Sequence, residues 1–236
     1  MNTPSMHTNS TALQTLDPTS GTFEAAHDSA RVLSNTHALL SITLLWSAAT
    51  ATASVVYALP GPGLIVSLVA MFGLLFAIHK LQNSAWSLAA VFALTGLMSY
   101  SLGPVLGKMM SLPGGSQSIA LALGSTGATF VAMSIWGKVS RRDFSFMGGM
   151  LMAGMVVALV LSLAAVFLEM PALSLAVSAM VALLSAGMIL FETQQIVQGG
   201  QRNYVLATVS LYVSLFNLFT SLLSLFGIGG LGSSDD

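Results

Sequence analysis

Seven apolar stretches, near residues 38–59, 64–79, 84–107, 118–137, 146–168, 172–197 and 204–228, fill almost all of the chain after its first 34 positions. A helix needs about 20 mostly apolar residues to cross a bilayer, and the hydrocarbon core admits only structures that satisfy their own backbone hydrogen bonds. Charged residues make up 6% of the 236 and hydrophobic residues 55%, whereas a soluble domain carries about 25% charge. The expected fold class is therefore all-α: a polytopic integral membrane protein with seven transmembrane helices in one domain over residues 35–230. Its first partner is the lipid bilayer.

Turn formers and charges divide the stretches: Pro60-Gly61-Pro62-Gly63, Lys80 to Asn83, Lys108 through Pro113-Gly114-Gly115, Lys138 to Asp143, Glu169-Met170-Pro171 and Gly199 to Asn203. These breaks are short, so neighbours in sequence run antiparallel. Positively charged loops are retained on the cytoplasmic side. With the N-terminus inside, the inner connections hold Arg31, Lys80, Lys138, Arg141, Arg142 and Arg202, and the outer ones hold Lys108. That asymmetry predicts seven spans, a cytoplasmic N-terminus, and residues 231–236 as a short acidic C-terminus outside. The second stretch, 64–79, is the shortest and can borrow Lys80 by snorkelling.

Residues 1–34 are rich in Ser, Thr, Asn and Asp and lack apolar periodicity, so they are expected to form a flexible cytoplasmic tail. No basic n-region with an apolar core precedes them, so a signal peptide is not expected. With no cysteine, the chain can have no disulfide, thiolate nucleophile or Cys-type zinc site. A net charge of -1 with scattered Lys and Arg offers no basic field, so no nucleic-acid partner is expected. His7, His27, His37 and His79 lie in the tail or near span ends, and no G-x-S-x-G, H-E-x-x-H or phosphate-cradling loop is present. The expectation is a protein that is not an enzyme and carries no metal or cofactor.

Small residues recur inside the spans, as in Ser47-Ala48-Ala49-Thr50-Ala51-Thr52-Ala53 and Gly148-Gly149 with Ala153-Gly154, and allow close helix approach in lipid. Glu192 is the acidic residue set well inside a stretch. An intramembrane carboxylate costs several kcal/mol unless it is paired, hydrated or protonated, which makes it a candidate functional group. No Lys or Arg sits at its depth. Ser210, Ser214 and Asn217 share one face of the last span by their four- and three-residue spacing. The last two spans run antiparallel through a short loop with Glu192 and Ser214 about ten residues on either side of the turn, so the two can face one another. Two readings follow: a site for a proton or cation at Glu192, Ser214, Asn217 and Ser210, or a hydrogen bond that locks two helices together.

The segments Val32 to Leu40, Thr95-Gly96-Leu97 with Leu102-Gly103-Pro104, Arg141-Arg142-Asp143-Phe144-Ser145-Phe146-Met147-Gly148, Phe191-Glu192-Thr193, Asn203-Tyr204 and Ala207 to Leu215 resemble the Bax inhibitor family in its bacterial branch. The resemblance runs from about residue 32 to 228. It implies a bacterial inner-membrane protein with a periplasmic C-terminus. The implied partner is the FtsH protease complex, a membrane-bound ATP-dependent zinc protease that the protein would modulate as an inhibitor or competing substrate. The tail would give that ATPase a place to grip. The alternative implied by the family is a pH-sensitive leak channel passing Ca²⁺, with protons acting on an acidic pair. By motif the first acid falls on Glu192 and the second on Ser214, so the chain keeps one carboxylate of the two.

Overall fold

The computed structural model describes the backbone of residues 18–140 and 144–231, and side chains over 27–227 apart from 64, 141–143 and 145. Among the described residues seven helices follow one another: α1 (Pro18–Val56), α2 (Leu64–Leu81), α3 (Trp86–Met110), α4 (Gly115–Val139), α5 (Ser145–Phe167), α6 (Pro171–Val197) and α7 (Tyr204–Leu231). No strand occurs among the described residues. Among the described residues, six helices are long and apolar enough to cross a membrane, and α2 contributes a shorter apolar segment over Ile65–Leu81. The seven expected spans coincide with the seven helices, including the short second one.

One boundary differs. Residues 1–34 are expected to be flexible, yet α1 is already helical at Pro18. Proline suits the first helical turn, and Glu24, Ala25, Ala26 and Arg31 are good helix formers whose polarity hides the helix from a hydropathy reading. Residues 1–17, Arg141 to Asp143 and the acidic 232–236 lie outside the described residues.

Two helix ends show how the chain turns without glycine. Ala58 and Glu169 take left-handed φ values of 47° and 50°. In each case the next amide reaches back five residues, Leu59 N–H to the Ser54 carbonyl at 3.0 Å and Met170 N–H to the Ala165 carbonyl at 3.3 Å. This is the Schellman closure, and a proline follows two residues later in each case: Pro60 lies in the loop after α1, and Pro171 opens α6, where a missing amide costs nothing in the first turn. Asn203 caps α7, its Oδ1 accepting from the amides of Val205 (2.9 Å) and Leu206 (3.3 Å). Its Nδ2 donates to the Gln82 carbonyl at 3.0 Å, tying the α6–α7 turn to the α2–α3 turn.

Helix α7 is the centre of the bundle, packing on α6, α4, α1 and α3, while α5 rests principally on α6 and α2 on α3. The core runs through Leu40, Leu94, Met98, Ile189, Leu211, Tyr212 and Leu215. Glycines set the close crossings: the Phe191 ring covers Gly148, Leu184 covers Gly154, and Gly137 of α4 faces the backbone oxygen of Leu190 and the side chain of Thr193. Proline 104 lies inside α3 and removes the amide that would serve the Tyr100 carbonyl. Ser54 of α1 donates its Oγ to that carbonyl at 3.1 Å. Gly103 makes this possible, because any Cβ there would occupy the space of the Ser54 side chain. The Leu102-Gly103-Pro104 motif is thus a helix seam.

Candidate functional site: the Glu192 cavity

Glu192 stands on α6 five residues before the helix ends at Val197. The α6–α7 turn then reverses the chain, and Ser214, nearly three turns into α7, comes beside it. Ser214 Oγ lies 3.2 Å from both carboxylate oxygens of Glu192 and donates between them. The serine is 2% exposed and Glu192 is partly buried. The pairing expected from counting residues around the turn is present.

Both side chains open on an elongated cavity of about 650 Å³ between α5, α6 and α7, with Leu75 of α2 at its edge. Ser210 and Asn217 line the same cavity, so all four candidate residues share one wall. Among the described residues, Ser214 is the hydrogen-bonding partner of the carboxylate, and Ser210 and Asn217 form no hydrogen bond to it. Glu192 is the one charged side chain in the lining. Away from it the walls are apolar at Ala158, Leu159, Val177 and Val181, with Ser162, Ser174 and Ser178 toward the far end. Ser178 donates to Ser224 of α7 at 3.2 Å, a second polar tie across the same groove.

No group of three or more His, Cys, Asp or Glu residues that could hold a metal ion occurs among the described residues. His79 is exposed near the end of α2. The edge of the α5–α6 pair where α5 begins is held by Gln194, which is buried and accepts the Phe144 amide at 3.1 Å.

A second polar cluster was not anticipated from sequence. Tyr212, 2% exposed, shares hydrogen bonds with Ser47 Oγ at 2.7 Å and Ser99 Oγ at 3.0 Å and donates to the Thr95 carbonyl at 3.1 Å. It joins α7 to α1 and α3 on the side of α7 away from Ser214. It also marks the polar end of a largely apolar cavity of about 640 Å³ bounded by α1, α3, α4 and α7.

Residues 29–230 match the family described as Inhibitor of apoptosis-promoting Bax1. The chain is 52% identical over 197 residues to the Modulator of FtsH protease YccA of Escherichia coli K12, an alignment covering 84% of this chain and 90% of that protein. It has the same 52% identity and the same coverage with Inner membrane protein YccA of Escherichia coli O6:H1. A membrane protein of Vibrio cholerae is 42% identical over 199 residues, 84% of this chain and 89% of its own length. The chain therefore belongs to the Bax inhibitor family, as a multi-pass membrane protein built on a seven-helix bundle.

Proposed function

We propose that this protein modulates a membrane-bound ATP-dependent zinc protease of the FtsH type, acting as an inhibitor or a competing substrate in a bacterial inner membrane. The observation that carries the reading is the 52% identity, over 84% of this chain and 90% of the other, to a protein named as the modulator of FtsH protease. In this reading the zinc and the hydrolysis belong to the partner, and the bundle itself is not an enzyme. The N-terminus lies in the cytoplasm and the C-terminus in the periplasm, an orientation supported by Arg31, Lys80, Lys138 and Arg202, which gather at one end of the bundle while Lys108 sits at the other.

Helix α1 gives the interaction its mechanics. Its 39 residues extend about 58 Å at 1.5 Å per residue, roughly twice a 30 Å hydrocarbon core. The surplus stands at the basic end, where Ser29 lies against Gly199 of the α6–α7 turn. Residues 1–17 precede this stalk and present the grip to the ATPase, while the glycine-seamed bundle resists extraction. Co-purification tests the reading directly. The full chain is expected to retain the protease and slow its turnover of other membrane substrates, and a variant lacking residues 1–17 is expected to lose that slowing while keeping its fold. Equal slowing by the truncated chain would remove the tail from the mechanism, and no retention by the full chain would remove the protease.

A second reading, a calcium leak gated by protons at Glu192, is favoured by one observation: polar side chains from Glu192 to Ser174 line a cavity extending along most of α6. Purified protein in liposomes is then expected to pass Ca²⁺ in a pH-dependent way, with the flux abolished by Glu192→Gln. Flux that is absent, or indifferent to that substitution, rejects the channel.

A further inference from the structure

The carboxylate of Glu192 has one hydroxyl as its protein partner among the described residues and no cationic side chain in the cavity it faces. A carboxylate at membrane depth requires a countercharge or a proton. The geometry around it says what kind of countercharge fits. Calcium takes six to eight oxygen ligands, and among the described residues the carboxylate has one hydrogen-bonded hydroxyl, that of Ser214, with the Ser210 hydroxyl and the Asn217 carboxamide lining the same cavity. A primary ammonium has three N–H donors in a compact head. A carboxylate oxygen, the Asn217 carbonyl and a serine hydroxyl supply three acceptors, and ammonium–carboxylate hydrogen bonds are among the stronger kind.

The rest of the cavity fits what would be attached to such a head. From Glu192 the walls continue along Val181 and Val177 of α6, opposite Met155, Ala158 and Leu159 of α5. Fifteen residues of α6 separate Glu192 from Val177, about 22 Å of helix, a large part of a 30 Å hydrocarbon core. The volume of about 650 Å³ falls within the 300–1,000 Å³ range of small-molecule sites, which are mostly apolar with a few placed polar groups. Because α5 rests principally on α6 and α2 on α3, the α6–α7 floor lies open between α5 and α2 to the surrounding lipid. The polar end lies about 8 Å along the helix from the end of α6 at Val197.

We infer that the Glu192 cavity binds an amphipathic primary amine from the bilayer, with the ammonium held by Glu192, Ser210, Ser214 and Asn217 and the apolar body lying along α5 and α6. The ligand is either an aminoethyl lipid headgroup with its acyl chain or a free long-chain amine. The inference stands apart from the protease reading, and neither depends on the other.

Detergent-solubilised full-length protein, titrated with dodecylamine and with dodecanol below their aggregation concentrations and followed by native mass spectrometry, tests it. The amine is expected to bind about tenfold or more tightly than the alcohol, the discrimination due to a charged hydrogen bond, and Glu192→Gln is expected to erase the difference. Val181→Phe keeps the carboxylate and narrows the wall, so it is expected to weaken dodecylamine more than hexylamine. Equal binding of amine and alcohol, a preference that survives Glu192→Gln, or a Val181→Phe effect independent of chain length overturns the proposal. Nanodiscs of phosphatidylethanolamine or phosphatidylglycerol separate the two sources. One phosphatidylethanolamine retained by the native chain and lost from Glu192→Gln assigns the lipid headgroup, and no retained lipid beside tight dodecylamine binding assigns the free amine.

Discussion

Gly103→Leu is expected to destabilise the bundle by about 3 kcal/mol or more, enough to prevent its accumulation in the membrane. Two costs add at this position. A side chain at residue 103 must displace Ser54, whose own backbone carbon would lie 3.3 Å from the new Cβ, so α1 and α3 have to separate; overpacking of this kind costs about 1–3 kcal/mol. Separation then takes the Ser54 hydroxyl away from the Tyr100 carbonyl, which Pro104 has already deprived of its helical donor. A buried polar group left unsatisfied costs about another 1–3 kcal/mol. Gly107, one turn further along α3, has nothing within 4 Å of an added Cβ. Gly107→Leu is therefore expected to change stability by about 1 kcal/mol at most, and in the favourable direction, since leucine is the better helix former. Thermal unfolding of the two purified variants distinguishes a seam glycine from an incidental one, and similar losses in both would show that the seam does not depend on Gly103.

The contrast between these two glycines also marks where the sequence is legible. Helix number and position can be read directly because the hydrocarbon core leaves an apolar run of 20 residues one conformation, and α2 to α7 lie where the apolar runs lie. The start of α1 could not be read that way. Glu24, Asp28 and Arg31 make the sequence there polar, and a hydropathy profile cannot tell such a helix from a tail. Glu192 and Ser214 were legible as facing positions because one short turn connects their antiparallel helices, although Glu192 lies five residues from the end of α6 and Ser214 ten from the start of α7. Ser210 and Asn217 followed from helical spacing, and the cavity they share with Glu192 did not, since its width depends on α5 resting principally on α6. Gly103 and Gly107 look alike in sequence and share a face of α3 by their four-residue spacing; they differ in level, because α1 meets Gly103 through Ser54 and ends at Val56 before it reaches Gly107.

Tyr212 was illegible for a stronger reason. Its partners are 165 and 113 residues away, on helices whose order around α7 no periodicity reveals. Its phenol is nonetheless expected to be among the most costly single groups to remove. Tyr212→Phe retains the ring, which stacks near Phe216 with centroids 6.3 Å apart, and deletes one oxygen that serves Ser47, Ser99 and the Thr95 carbonyl. Interhelical hydrogen bonds in membranes average about 0.6 kcal/mol each and reach about 1.7, so losing three at one fully buried point is expected to cost about 2 kcal/mol. For a chain of this length that lowers the unfolding midpoint by about 4–8 °C. Tyr100→Phe supplies the comparison: its hydroxyl makes one bond of 2.7 Å, to the exposed Pro60 carbonyl, and water can replace it. A shift of about 2 °C or less is expected there. Ser47→Ala combined with Tyr212→Phe should show a coupling energy of about 0.5 kcal/mol or more, as for residues in one hydrogen-bonded network. Equal shifts for the two tyrosines, or strict additivity with Ser47, would mean that α1 and α3 are held to α7 by packing alone. With the coupling present, α7 is anchored by hydrogen bonds on the face opposite Ser214, which fixes one wall of the Glu192 cavity whatever occupies it.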